Sequence, residues 1–411
     1  MGSVSFWQAE TEIFDAPQSA PQLEGAHEAE IAIIGAGITG TAAALWLARA
    51  GMRVAVIEGR RIAAGASGRN GGFLLSGTSE SYATAIARYG HECAYRIWDF
   101  TVRNQTIAAQ LVGELAEAGW ECGYQRVGSL RIASAEAELD ELAASITLLH
   151  EDGWQAETTT RDQLPQRLRH AYLGGIYYPL DAEIQPARFV AGIARLATQE
   201  GAAFYEKSPV TRLSVDTNGI LIETEHGSLR ARQVLLAANA WLPDLAQQVG
   251  ADWLARAITP TRGQMLATEP VAERIFTCPC YANEGYEYFR QLADGRLVIG
   301  GWRNTSFDSE NTADETPGNP VQDNVERFLR DILRLPDLRV EQRWAGIMAF
   351  SADGLPFVGA LPGVPDVYVS GGYTGHGNAY ALLAARLISD LAKGAPNADA
   401  DLFDPARIVP T

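Results

Sequence analysis

The most constraining feature of this sequence is a glycine-rich turn between two short apolar segments. Residues 30–34 read EIAII and residues 53–58 read RVAVIE, and each apolar run predicts a buried strand. Between them lies GAGITG at residues 35–40, followed by helix-forming alanines and leucines that end at Gly51. A strand, a glycine turn, a helix and a second strand within about 30 residues form a βαβ unit, whose two strands lie parallel.

Each glycine of this turn has its own physical reason. Gly35 permits the tight turn, Gly37 lets the backbone approach a pyrophosphate, and Gly40 lets the helix pack closely on the strand. The helix N-terminus then presents free N–H groups and a positive dipole end to the phosphates. Glu58 follows Gly40 by 18 residues, where a carboxylate can accept hydrogen bonds from ribose hydroxyls. Together these features predict dinucleotide binding.

Two further glycine-rich segments lie far apart in the chain. Residues 65–73 read GASGRNGGF and predict a loop whose backbone can wrap a ligand. Residues 371–377 read GGYTGHG and separate a strand predicted at 367–370 from a helix predicted at 378–392. We therefore predict one nucleotide-binding domain assembled from distant segments, with a second domain inserted.

The predicted fold class is α/β, with a discontinuous Rossmann-type domain and an inserted α+β domain whose sheet is mainly antiparallel. A hairpin at 286–290 and 296–301 supports the antiparallel sheet, and the polar stretch 303–320 predicts a surface loop. We assign residues 1–28 to an N-terminal segment, residues 29–90, 160–245 and 345–411 to the nucleotide-binding domain, and residues 91–159 and 246–344 to the substrate-binding domain.

Composition excludes several classes of function. The chain has 411 residues and a formal net charge of −17, so no basic stripe is available for nucleic acid. Its four cysteines lack metal-site spacing, which predicts no metal and free thiols in a reducing cytoplasm. The uncharged stretch 31–48 is interrupted by glycine and threonine, so we expect no membrane span. The first basic residue is Arg49, so the sequence lacks the charged start of a signal peptide.

The ordered set of motifs resembles the FAD-dependent amine and amino-acid oxidoreductases, which include D-amino acid oxidase, glycine oxidase and sarcosine oxidase. The resemblance runs from about Glu30 to Phe403. Further markers are SPV at 208–210, VLLAANAW at 234–241, TPTRGQM at 259–265, YFRQLADGRLVIGG at 288–301 and WAGIMAFSADGLPFVG at 344–359. Within the family, GASGRNGG, YFR and GYTGHG look most like the γ-glutamylputrescine oxidoreductases.

The resemblance implies FAD as the cofactor. Glu58 would hold the adenosine ribose, Val210 would offer backbone atoms to adenine, and the helix at 378–392 would stabilise negative charge on reduced flavin. The cofactor-binding residues that the resemblance implies are Gly35, Gly37, Ile38, Thr39, Gly40, Glu58, Gly59, Arg60, Ala66, Ser67, Arg69, Asn70, Gly71, Gly72, Phe73, Val210, Ala238, Gly346, Gly375, His376 and Gly377.

Departures from the family pattern bear on the substrate. Met348 stands where glycine oxidase and D-amino acid oxidase carry the arginine that clamps the substrate α-carboxylate. Ala379 replaces the lysine that sarcosine oxidases use for the same purpose, and Ala349 replaces their flavin-linking cysteine. These replacements favour non-covalent FAD and a substrate without a clamped α-carboxylate.

The oxygen-activating lysine of sarcosine oxidases is also missing. It would lie on the strand at 296–300, where this chain has Leu297, Val298 and Ile299. The only lysines are Lys207 and Lys393, and arginine supplies the other 31 positive charges. The electron acceptor, oxygen or another carrier, is therefore left open.

The catalytic residues do not follow from the sequence, because the flavin carries the chemistry. His376, Tyr288 and Arg290 are weak candidates. The expected substrate pocket consists of Phe73, Arg262, Tyr286, Tyr288, Met348 and Tyr373. For Arg262 and Arg290, an ion pair between segments is slightly favoured over a substrate contact, and for His376 a structural role is favoured.

The expected function is FAD-dependent oxidation of an amine C–N bond to an imine by hydride transfer to flavin. The substrate is a small secondary or primary amine, including γ-glutamylputrescine-like amines. Two alternatives remain: an α-amino-acid oxidase or dehydrogenase of the same fold, and a flavoprotein subunit whose FAD is structural. The oligomeric state is not predicted.

Overall fold

A computed structural model of the chain describes residues 4–10 and 20–408. Its strands, in chain order, are β1 (Gly25–Ile34), β2 (Val54–Ile57), β3 (Phe73–Leu74), β4 (Ser129–Ala133), β5 (Glu157–Thr160), β6 (Gly174–Tyr178), β7 (Ala182–Glu183), β8 (Ala203–Tyr205), β9 (Arg212–Asp216), β10 (Gly219–Glu223), β11 (Gly227–Leu236), β12 (Ile258–Pro270), β13 (Cys280–Ala282), β14 (Glu287–Gln291), β15 (Arg296–Gly301), β16 (Val340–Ser351), β17 (Phe357–Ala360) and β18 (Val367–Gly371). Its α-helices are α1 (Phe6–Ala9), α2 (Ile38–Arg49), α3 (Tyr82–Tyr89), α4 (His91–Glu117), α5 (Glu136–Glu151), α6 (Pro186–Gln199), α7 (Leu242–Gln248), α8 (Asp252–Ala257), α9 (Phe307–Glu310), α10 (Asn319–Arg327) and α11 (Gly377–Ala392).

The first sheet contains the predicted βαβ unit. Its strand order is β17-β18-β11-β1-β2-β8, with β10 paired to β11 and β9 paired to β10. Strand β1 lies parallel to β2 and β11, with Ile31 beside both Val54 and Gln233. The last four residues of β1 are all buried, as expected for a parallel strand that is covered on both faces.

A layer of helices covers one face of the first sheet. Helices α2, α4, α6 and α11 share one core cluster, in which Leu45, Phe100, Phe189 and Leu382 are buried together. Helices α3 and α4 are separated by Gly90, whose φ of +85° interrupts the helical stretch. Helix α4 packs in two directions, because Phe100 lies in this cluster while Ala94 and Trp98 pack with Ala133 of β4.

The second sheet is mainly antiparallel, as predicted. Its strand order is β16-β12-β15-β14-β13-β4-β6-β5, and only β13 and β4 pair in parallel. The predicted nucleotide-binding segment 160–245 includes β6, which pairs with β4 and β5 of this second sheet. A five-residue apolar run predicts a strand but does not specify which sheet the strand joins.

The described part of the N-terminal segment contains helix α1 and the start of β1. Helix α1 begins after a capping box at Ser5, and Trp7 is 1% exposed. Ser5 Oγ donates to the Gly68 carbonyl at 2.6 Å, and Trp7 Nε1 donates to the Asn70 carbonyl at 2.6 Å. Hydrogen bonds from this short helix and its cap therefore hold two carbonyl groups of the glycine-rich loop 65–73.

Neither a membrane helix nor a metal cluster is found in the part of the chain that the structure describes. No helix there is both long enough and apolar enough to cross a membrane. No group of three or more His, Cys, Asp or Glu side chains there is arranged to hold a metal ion.

A buried arginine connects the second sheet to the glycine-rich loop. Arg290 on β14 forms an ion pair with Glu183 on β7 at 3.3 Å, and both side chains are 5% exposed. Its Nη1 donates to the carbonyls of Gly72 and Ile184, each at 3.0 Å. Its guanidinium also lies over the Trp7 ring, 5.2 Å from the ring centroid.

We predict that Arg290→Gln strongly destabilises the protein. Removing one partner of a buried ion pair leaves the other charge uncompensated, which costs about 3–5 kcal/mol. Urea unfolding followed by intrinsic fluorescence measures this loss. The matched control is Arg339→Gln, which removes an exposed pair with Glu269 and should cost at most about 1 kcal/mol. Equal losses for the two variants would contradict the assignment of Arg290 as a structural anchor.

Candidate functional site

The glycine motif forms a tight cradle at the end of β1. Gly35 has φ of +108°, and a Cβ there would lie 2.7 Å from the Ala237 carbonyl oxygen. A Cβ at Gly40 would lie 1.9 Å from the Gly35 carbonyl oxygen. Gly37 caps α2 without a side-chain hydrogen bond, and a Cβ there would lie 2.9 Å from Ser67 Oγ. The Ile38 N–H donates to Ser67 Oγ at 3.0 Å, and Gly37, Ile38 and Thr39 all line the large cavity described below, so this end of α2 faces a ligand there.

Glu58 is fixed next to this cradle by backbone hydrogen bonds. The Ala36 N–H donates to Oε2 at 2.9 Å, and the Arg60 N–H donates to Oε1 at 2.8 Å. Burial raises the pKa of the Glu58 carboxyl, while these two donors oppose the shift. The carboxylate is thus pre-positioned to accept ribose hydroxyls at the end of β2.

The loop 65–73 is tied to the start of the last helix. Asn70 Oδ1 accepts from the Gly72 N–H at 2.8 Å and from Asn378 Nδ2 at 3.1 Å. Asn378 Nδ2 also donates to the Phe73 carbonyl at 3.0 Å. Two glycine-rich segments that are far apart in the sequence therefore meet at one site.

One large cavity, of about 1290 Å³, runs between the two sheets. All the predicted cofactor residues line it except Gly40 and Gly72, and all the predicted pocket residues line it except Arg262. Of the catalytic candidates, His376 and Tyr288 line the cavity and Arg290 does not. The structure thus brings most of these residues together, and their individual roles stay predictions.

The two candidate arginines both have acidic partners, and neither lines the cavity. Arg262 forms a bidentate pair with the buried Glu310, with N···O distances of 2.8 and 2.9 Å. Arg290 is held by Glu183 and the loop carbonyls. Both guanidinium groups are thus ion pairs between segments, which was the slightly favoured interpretation.

A row of side chains crosses the cavity face of the second sheet. The strand register places Arg131 opposite Tyr281, Tyr281 opposite Tyr288, and Tyr288 opposite Gly300. The missing side chain at Gly300 makes room for the Tyr288 ring, because a Cβ there would lie 2.3 Å from it. The Phe73 ring meets Tyr288 edge-on, with centroids 6.4 Å apart.

His376 stands at the N-terminus of α11, where it lines the cavity. Burial, and then the charge of Arg131, lower the pKa of His376 to about 4, so the imidazole is neutral at neutral pH. The Tyr373 hydroxyl bonds Thr39 and Ser370, at 2.9 and 2.7 Å, so only its ring is available to the cavity. Burial raises the pKa of the Tyr288 hydroxyl, which stays protonated.

Sequence reasoning missed several residues of this cavity. Arg131 and Tyr281 line it from the second sheet, and Arg303 lines it from the hairpin end. Glu315, in the predicted surface loop 303–320, pairs with Arg60 at 2.8 Å and covers the nucleotide end. A charged residue in the middle of β4, whose five residues are all buried, was the available signal for Arg131.

The fold and cavity together define the class of protein. Residues 30–391 match the family described as DAO, FAD dependent oxidoreductase, and the chain belongs to this family. Its members act on amines or amino acids, so this chain is a FAD-dependent oxidoreductase of that kind.

Individual relatives share the full length of the fold. The γ-glutamylputrescine oxidoreductase of Escherichia coli K12 is 28% identical over 398 residues, covering 91% of this chain and 85% of the relative. The glycine oxidase of Geobacillus kaustophilus is 26% identical over 379 residues, covering 89% of this chain and 93% of the relative. The crystal structure of a glycine oxidase from the same organism superposes with a TM-score of 0.81 at 22% identity, covering 93% of this chain and all of the other.

The residues of the cavity fit FAD. The N-terminus of α2 at Gly37 suits a pyrophosphate, and Glu58 suits a ribose. Gly263, Gly346 and Gly375 line the same cavity, where a larger side chain would take up space. None of the four cysteines lines the cavity, so no cysteine is placed to link the flavin covalently.

We predict that Glu58→Gln weakens FAD binding by about 1–3 kcal/mol, the usual value of a hydrogen bond to a charged group. The amide of the variant keeps one acceptor oxygen, which cannot accept hydrogen bonds from the Ala36 N–H, the Arg60 N–H and a ribose hydroxyl at the same time. Acid precipitation should release the FAD, and fluorescence titration of the resulting apoprotein gives Kd. Glu30→Gln, on the same sheet but outside the cavity, is the control and should leave Kd unchanged. Flavin that stays with the acid-precipitated polypeptide would refute non-covalent binding.

Proposed function

We propose that this protein oxidises the C–N bond of a small amine to an imine, with non-covalently bound FAD. FAD, when bound, accepts the two electrons and the hydrogen that leave the substrate carbon. The observation that carries the proposal is Met348, because a thioether stands on the cavity wall where the family resemblance implies a carboxylate clamp.

The position of Met348 supports a contact with the substrate. Its Cε lies 3.0 Å from the point that a Cβ of Gly263 would occupy, and its Sδ lies 3.6 Å from that of Gly375. The side chain therefore lies between β12 and the turn before α11. A thioether has no hydrogen to donate to a carboxylate, so this wall favours an apolar carbon next to the reacting amine.

The surrounding side chains orient the substrate and exclude water. The rings of Phe73, Tyr286 and Tyr288 line the cavity and offer apolar faces to an alkyl chain. Neutral His376 adds no positive charge that would repel an amine. Its low pKa also makes it a weak base, so we assign it the role of positioning and propose that the substrate binds as the free amine.

α-Amino-acid oxidation is the second candidate. The arginines at 131 and 303 lie in the cavity and can in principle bind a carboxylate that Met348 cannot. A purely structural role for FAD is the third interpretation, and the absence of flavin reduction by any amine or amino acid would favour it. Cytoplasmic location remains a proposal, supported by four unpaired thiols.

We predict that primary and secondary amines, including γ-glutamylated polyamines, reduce the FAD faster than glycine, sarcosine or D-alanine. The reason is that Met348 provides no charge for an α-carboxylate. Anaerobic loss of flavin absorbance measures the rate for each compound. Met348→Arg should raise the rate with glycine relative to amines, and Met348→Leu is its uncharged control. A higher kcat/KM for D-alanine than for every amine would contradict the proposal.

We further predict that the reduced enzyme reacts slowly with oxygen and faster with an artificial acceptor dye. No lysine lines the cavity to stabilise nascent superoxide, and Val298 is 1% exposed in an apolar cluster. Stopped-flow reoxidation in air measures the rate. Val298→Lys should raise it if the ammonium reaches the flavin, with Val298→Met as the uncharged control. Wild-type reoxidation as fast as that of a known oxidase would refute the lysine argument.

A further inference from the structure

The buried arginines of the described chain fall into two groups. Arg69, Arg131, Arg262 and Arg290 are each less than 9% exposed. Three of them pair with an acid: Arg69 with Glu315 at 3.4 Å, Arg262 with Glu310 at 2.8 Å and Arg290 with Glu183 at 3.3 Å. Arg131 forms no ion pair with any residue of the described chain, and its Nε has no hydrogen-bond partner there. An unpaired buried guanidinium is costly to fold and points to an anionic ligand.

Arg131 is aimed at the cavity by its strand. Its neighbours in β4, Leu130 and Ile132, are buried in the core on the opposite face of the sheet. The guanidinium lies over the Tyr281 ring at 5.8 Å, and that ring meets His376 at 5.6 Å. The charge is therefore presented beside Tyr281 and His376, which both line the cavity.

Two acids near Arg131 do not pair with it. Asp181 and Glu80 line a small space that Arg131 also lines. Asp181 accepts from the Ser76 N–H, the Ser76 hydroxyl and the Ser129 hydroxyl, at 2.7–2.9 Å. Glu80 pairs with Arg88 through Oε1, and its Oε2 has no hydrogen-bond partner among the described residues. Neither acid forms an ion pair with Arg131.

Arg303 provides a second cation at the cavity wall. Its guanidinium lies between the rings of Phe350, Tyr286 and Phe307, at 4.3, 4.8 and 5.4 Å from their centroids. No carboxylate of the described residues forms an ion pair with it. Stacking on three rings holds the planar group in place and leaves its N–H edge for a ligand.

We propose that Arg131 and Arg303 together bind a carboxylate of the amine substrate, remote from the C–N bond that is oxidised. Both arginines line the same cavity, and Arg131 lies over the Tyr281 ring there. An amine with a distal carboxylate, such as an ω-amino acid or an amine acylated by an amino acid, has this chemistry. This assignment rests on the proposed amine oxidation.

The strand geometry separates this anion site from the family clamp position. Arg303 stacks on Phe350, which is two residues beyond Met348 on β16. Two residues of strand span about 7 Å. Met348 carries no charge, so an anion held by Arg131 and Arg303 has different partners from the α-carboxylate of the family clamp. The proposal therefore assigns the anion to a distal group of the substrate.

Calorimetry on the holoenzyme tests this site without turnover. Pentanoate and glutarate are the anionic probes, and pentanamide is the neutral probe of matched shape. We expect both anions to bind at least about tenfold more tightly than the amide, as a charge-assisted hydrogen bond provides. Equal affinity of pentanoate and pentanamide for the wild-type protein overturns the proposal.

Variants of each arginine test the assignment. Arg131→Met and Arg303→Met should each reduce pentanoate binding to the level of pentanamide, while Arg131→Lys and Arg303→Lys should restore part of the preference. Arg339→Met, an exposed arginine away from the cavity, is the control. FAD content and Tm show whether each variant is folded. If a methionine variant does not fold, the matching lysine variant and the wild-type affinities for pentanoate and pentanamide still test the assignment.

Flavin reduction separates this proposal from the function on which it rests. 5-Aminopentanoate should have a KM at least about tenfold lower than pentylamine in the wild type, and the difference should vanish in either methionine variant. If the methionine variants lose activity equally with 5-aminopentanoate and pentylamine, the arginines act on the cofactor and the proposal is overturned. A changed flavin potential with an unchanged preference between these two substrates would have the same meaning. If no amine reduces the flavin but pentanoate still binds more tightly than pentanamide, the proposed amine oxidation is refuted and the anion-binding site is supported.

Discussion

The buried ion pair between Arg290 and Glu183 holds the two halves of this site together. Arg290 comes from the second sheet, and its hydrogen bonds reach the carbonyls of the loop 65–73 beside the nucleotide cradle. Lysine could not replace it, because a single ammonium lacks the planar fork that meets a carboxylate and backbone carbonyls in different directions. The contact fixes the loop to the second sheet and lies against Trp7 of α1.

Contacts between residues that are close in the sequence could be predicted from it, and contacts between distant residues could not. The cradle of Gly35, Gly37 and Gly40 could be predicted because the strand, turn and helix that form it are consecutive in the chain, although Gly35 also packs against Ala237. The partner of Arg262 could not be predicted, because Glu310 lies in a stretch with no regular pattern. Arg131 was missed because a single charge in an apolar strand shows its orientation only when the strand register is known. The sequence alone did not predict which distant residues pair with each other.

The interior arginines show how an acidic chain organises its few internal positive charges. Three of the four buried ones lie next to carboxylates that fix segments against each other. Around the cavity, Arg303 and Arg131 are instead supported by aromatic rings, which desolvate a guanidinium without neutralising it. Arginine thus joins two segments where an acid is near, and it stays available to bind an anion where only aromatic rings are near.

The interleaving of the two sheets along the chain has a consequence for biosynthesis. The cradle at Gly35 leaves the ribosome early, but His376, at the other end of the cavity, is 341 residues later. At typical elongation rates this gap is on the order of tens of seconds. Until residues 227–236 are made, β1 also lacks its neighbour β11, and its apolar residues are uncovered. Cofactor loading is therefore a late event, and the nascent chain must be kept from aggregating until its last strand and helix arrive.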